Sequence, residues 1–68
     1  MELKPHQQRV VEEKSDLDEK IAKLKDFTNN NPVFATLPED EQARLTRQYD
    51  IMLAYSAVLG ERIAAFSS

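Results

Sequence analysis

Apolar residues recur along this chain in two long runs separated by a short polar break. In the first, Val10, Leu17, Ile21, Leu24 and Phe27 follow at spacings of seven, four, three and three, which places them on one face of a helix with 3.6 residues per turn. Pro5 suits a first helical turn, and nothing between it and Phe27 breaks a helix. In the second run, Leu45, Tyr49, Met52, Ser56, Leu59, Ile63 and Phe66 alternate spacings of four and three, the pattern of a heptad seam. Ser56 is its one polar member, and its hydroxyl is expected to bond back to the carbonyl four residues earlier.

The break "TNNNP" at 28–32 ends the first helix, because asparagine favours turns and the residue before Pro32 is pushed out of the α region. "VFATL" at 33–37 is too short for an independent element and reads as one helical turn or an extended piece, with Phe34 and Leu37 plugging the loop end. Thr36 with Glu39 fits a capping box, Pro38 suits the next first turn, and Glu39, Asp40 and Glu41 set negative charge at the positive end of a helix dipole. On exposed faces, Asp16 with Lys20 and Glu19 with Lys23 are ion pairs at helical neighbour spacing.

The expected architecture is all-α: one domain, residues 1–68, forming an antiparallel two-helix hairpin with helix one at about 5–27, a connector at 28–37 and helix two at about 38–66. Numbers of facing residues in such a hairpin sum to a constant. A sum of 69 pairs Leu3 with Phe66, Val10 with Leu59, Leu17 with Met52 and Leu24 with Leu45, four apolar layers about 10 Å apart. Ile51, Val58 and Ala65 then remain on a second stripe of helix two, with Leu53 on the opposite flank. A stripe of this kind is an association site, so the hairpin is expected to oligomerise into a helical bundle. Gly60, which costs a helix about 1 kcal/mol relative to alanine, points to close approach of another backbone or a ligand there. Ile51, Leu53, Val58, Gly60 and Ala65 are the expected oligomer interface.

Composition narrows the function classes. With 68 residues and no cysteine, the chain has no disulfide or thiolate metal site to reinforce a small core. A single histidine supplies no His-rich metal site, and neither a metal nor another cofactor is expected. The formal net charge of −3 makes nucleic acid and anionic membrane poor partners. No apolar run approaches a membrane span, and "MELKPHQQRV" resembles neither a signal nor a transit peptide, so a cytoplasmic protein is expected. Phosphate-loop, nucleophile-elbow and metal-hydrolase motifs are missing, so no enzymatic activity is expected.

One polar row remains. Gln48, Tyr55 and Arg62 are spaced by seven, and the same pairing sum sets Tyr55 opposite Lys14 and Arg62 opposite Gln7, with His6 and Arg9 nearby. A guanidinium binds anions bidentately and an aromatic ring stacks on a base. His6, Arg9, Lys14, Gln48, Tyr55 and Arg62 are therefore the candidate binding residues for a small, phosphate-bearing, nucleotide-like molecule. The bland alternative is packing, with Tyr55 filling a helix interface and Arg62 covering apolar surface with its stem.

The segments "HQQRVVEEKSDLDEKIAKLKDF" at 6–27, "LPEDEQARL" at 37–45 and "YSAVLGERIAAF" at 55–66 resemble, in this order, a family of small helical-hairpin proteins of tailed phages, the type found in crAss-like and enterobacterial phages. The pattern is similar to the sponges that phages use against cyclic-nucleotide (CBASS) and Thoeris defence. The resemblance implies a phage accessory protein, dispensable for building the virion. Its expected place is the bacterial host cytoplasm, where a homo-oligomer sequesters a cyclic-nucleotide or ADP-ribose type immune signal. The alternative is an interaction module whose stripe docks on a host defence protein or a phage protein.

Overall fold

The computed structural model describes residues 2–67. Three helices follow one another: α1 (Pro5–Asn30), α2 (Val33–Thr36) and α3 (Glu39–Ala65). No strand is present among the described residues.

Local chemistry sets each boundary. Gln7 Oε1 accepts the Lys4 backbone N–H at 2.9 Å, satisfying one donor that the start of α1 would leave open. The helix runs three residues past Phe27, helped by Asn30 donating to Asp26 Oδ1 at 2.9 Å. Asn31 then turns extended, and its Oδ1 accepts the Val33 N–H at 2.9 Å, which seeds the single turn of α2. Here the expected capping box fails. Thr36 lies inside α2 and donates its hydroxyl proton to Val33 O at 2.6 Å, and Pro38 rather than Thr36 precedes α3. Gln42 closes the connector instead, its Nε2 donating to Leu37 O at 2.9 Å. Phe27 and Phe34 meet edge to face with centroids 6.0 Å apart, and Phe34 and Leu37 are half-buried, as expected of a plug at this end.

The first half of α1 lies beside the second half of α3, giving a rod of 48 × 15 × 15 Å. Val10, Leu17, Ile21 and Leu59 are buried, with Tyr49, Met52, Ile63 and Phe66 packed against them. Every member of the heptad seam of α3 is buried or half-buried. Leu59 is fully enclosed, a burial that stabilises by about 1.5–3 kcal/mol. Of the four expected layers, the Leu3–Phe66 layer is open, with Leu3 exposed. On the outside, Glu19 pairs with Lys23 at 3.3 Å, whereas Asp16 and Lys20 form no ion pair. Exposed pairs of this kind contribute a fraction of a kcal/mol.

Candidate functional site

Successive residues of α3 turn by about 100°, so the seam divides the helix into two flanks. Leu53, Ala57 and Gly60 share one flank, and with Lys14, Asp18, Ala22 and Lys25 of α1 they line a shallow groove. A closed polar network lies in its wall. Lys14 Nζ reaches Asp18 Oδ2 at 2.7 Å and Ser56 Oγ at 3.0 Å, and Ser56 donates its hydroxyl proton to the other Asp18 oxygen. The hydrogen bond from the Lys14 ammonium, followed by that from the Ser56 hydroxyl, holds the Asp18 carboxyl below its ordinary pKa, while desolvation opposes the shift weakly.

This network corrects two expectations. Ser56 does not bond back along its own helix; it ties α3 to α1. Lys14 does not stand opposite Tyr55 in one polar stripe. It lies across the seam from Tyr55, because the pairing sum sets the level along the axis but not the side, and Ser56 is rotated by about 100° from Tyr55. The close approach expected at Gly60 is made within the chain, and it is loose enough to admit a side chain: a methyl group added there would stand 3.4 Å from Lys14 Cε, an ordinary contact. The close neighbour is the lysine stem passing over the helix.

The other flank carries Arg44, Arg47, Gln48, Ile51, Tyr55, Val58 and Arg62. It is open. Ile51 is 60%, Val58 52% and Tyr55 45% exposed, three of the largest uncovered apolar side chains of the described chain. Arg44, Arg47, Gln48, Ile51 and Met52 form a second shallow groove, in which Gln48 Nε2 approaches Met52 Sδ at 3.9 Å. Arg44 is occupied by Glu41 at 2.8 Å and Asp40 at 3.5 Å. Among the described residues Arg47 and Arg62 have no acidic partner. Their charges are available for an incoming anion: Asp50, three residues after Arg47, and Glu61, beside Arg62, border the flank without forming an ion pair with either.

The structure thus brings Gln48, Tyr55 and Arg62 onto one outward flank with Ile51 and Val58, and separates Lys14 from them. His6 and Arg9 are exposed near the start of α1 and make no hydrogen bond or ion pair with Tyr55 or Arg62. Leu53 and Gly60 lie on the Lys14 side, away from Ile51, Val58 and Ala65, so the expected interface residues occupy two flanks. Sequence reasoning passed over Arg47, which a count from Arg62 reveals: it stands fifteen residues away, about four helical turns, and so returns to a neighbouring strip of the same flank. Asp18 was passed over as well, since a carboxylate four residues after a lysine reads as an ordinary surface pair. No group of three or more histidine, cysteine or acidic side chains converges as a metal site among the described residues, and no helix there is long and apolar enough to cross a membrane.

Comparison with curated proteins and with solved structures returns no match. Residues 4–65, spanning both long helices, the Lys14–Asp18–Ser56 network and the open flank of α3, match the Sequestin family profile, and the chain belongs to the Sequestin family.

Proposed function

We propose that this is a non-enzymatic helical protein that sequesters a small anionic, nucleotide-like molecule, and that the α1–α3 hairpin is the protomer of a homo-oligomer. The molecule is a host immune signal of the cyclic-nucleotide or ADP-ribose type, and its removal in the cytoplasm of an infected bacterium blunts an antiphage defence. The family name carries the sequestration, since it is what Sequestin denotes. The observation that carries the ligand class is the open flank of α3, where two guanidinium groups without an ion pair, an exposed tyrosine ring and two exposed aliphatic side chains share one strip. Guanidinium matches phosphate bidentately, and the ring and aliphatic carbons match a base or ribose face.

Native mass spectrometry of protein purified from infected, defence-carrying cells, recorded before and after gentle denaturation, tests this reading. The expected result is an oligomer that loses a phosphate-containing small molecule on denaturation, together with an Arg62→Ala variant that folds but carries none. A bare wild-type chain that instead captures a host or phage protein through Ile51 and Val58 would transfer the reading to an interaction module.

A further inference from the structure

The α1–α3 pair leaves too much surface open for its size. It exposes 5222 Å² at 7.8 kDa, whereas a compact monomer of that mass exposes roughly 4,400 Å². The excess of roughly 800 Å² is what one partner contributes to a standard protein–protein interface. Its apolar centre lies on α3. Of the other exposed large apolar side chains, Leu3 and Val33 lie outside both long helices and Leu53 stands singly on the Lys14 flank of α3, and the outward face of α1 offers Glu12, Asp16, Glu19 and Lys23 in their place. A second copy therefore finds an apolar counterpart for Ile51 and Val58 only on its own α3.

The order of residues along that strip fixes what such a pairing does. Its apolar members lie in the middle and its free cations at the ends, with Arg47 and Arg62 fifteen residues, or about 22 Å, apart. One chain cannot close both on a small molecule. Two helices crossing antiparallel, with Ile51 set against the partner's Val58, bring Arg47 against the partner's Arg62 at each end of the shared seam. Two guanidinium groups meeting there repel, and the contact is completed when a dianion lies between them.

We infer that two copies pair antiparallel through the outward flanks of α3, and that each end of the seam holds the phosphates of a ligand between Arg47 of one copy and Arg62 of the other. The inference rests on the sequestration reading and deepens it: the binding site is built by the pairing, two sites arise per dimer, and ligand and association strengthen each other.

Sedimentation equilibrium in phosphate-free buffer, with and without millimolar inorganic pyrophosphate, tests it on the wild type and on Arg62→Glu, Arg47→Glu and Ile51→Asp, with circular dichroism confirming that each is helical. Pyrophosphate should tighten wild-type dimerisation by about tenfold or more. Either charge reversal replaces a repelling pair with an attracting one at both ends, so each glutamate variant should dimerise about tenfold more tightly without pyrophosphate and no longer respond to it. Ile51→Asp should remain monomeric throughout. Glutamate variants that associate no better than wild type, indifference of the wild type to pyrophosphate, or a dimer that survives Ile51→Asp would each overturn the two-fold site. The two readings fail separately. A wild-type monomer that still carries its copurified signal keeps sequestration and removes the two-fold site, whereas charge-reversal behaviour without any copurified signal does the reverse.

Discussion

The two flanks of α3 are made from the same helix and face opposite fates. On the Leu53–Gly60 side, Lys14 has a local answer: it is held by Asp18 and Ser56, and its stem lies over Gly60. On the Ile51–Val58 side, two arginines, a tyrosine and two aliphatic residues are left without partners inside the chain. The first flank is tied to α1 by a polar network, and the second makes no such tie.

Substitutions should divide along the same line, and the largest effect lies between the flanks. Leu59→Ala opens a cavity at the one fully enclosed side chain among the described residues and should cost about 2–5 kcal/mol in urea unfolding. By contrast, Val58→Ala on the open flank should change the unfolding of the isolated protomer by less than about 0.5 kcal/mol. Equal losses at both positions in dilute protein would erase the distinction.

Next comes acid. Asp18 has a folded pKa below its unfolded value, so the stability it contributes is fully present above the unfolded carboxylate pKa of about 3.9 and is lost as pH falls through the lower folded pKa. Asp18→Asn should therefore be less stable than wild type at neutral pH, and the gap should close as the solution is acidified below about pH 4. Acid titration followed by circular dichroism measures it, and a gap that widens on acidification would contradict the network.

Gly60 gives a smaller and opposite effect. Alanine there meets only the flexible end of Lys14, at 3.4 Å, and gains helix propensity, so Gly60→Ala should raise stability by up to about 1 kcal/mol. Thermal unfolding reads the change, and association and ligand uptake should be unmoved, since those belong to the other flank. A gain in stability accompanied by loss of association would return Gly60 to an interface. The smallest effect is expected from Tyr55→Ala, whose protomer stability should stay within about 0.5 kcal/mol while ligand uptake is lost, as checked by thermal unfolding alongside native mass spectrometry.

Much of the fold was legible because hydrophobic period is a one-dimensional signal. The four-three alternation from Leu45 to Phe66 maps directly onto the buried edge of α3, and the exposure of Ile51 and Val58 follows from their lying off that edge. What could not be read was rotational. A pairing sum places Lys14 at the level of Tyr55 and Ser56, but which of the two it touches depends on how the helices roll about their axes, and side-chain packing decides that. The missed cap has a local cause: Thr36 fits a cap before Glu39, yet the Asn31 side chain starts a helical turn early enough to draw Thr36 inside it. For the site, the residue types at Gln48, Tyr55 and Arg62 were visible in the sequence. Arg47 was visible too, fifteen residues from Arg62 on a neighbouring strip, but the seven-residue row that singles out the other three skips it.

Side-chain footprinting tests the division of the two flanks most directly. Arginine- and tyrosine-selective labelling, with lysine labelling in parallel, would be applied to the protein alone and after incubation with small-molecule extract from cells whose defence is active. Protection of Arg47, Tyr55 and Arg62, with Lys14 and Lys25 unchanged, is the result that a recognition surface on the open flank predicts. Protection of Lys14 and Lys25 with Tyr55 and Arg62 unchanged would place the ligand in the opposite groove and contradict it.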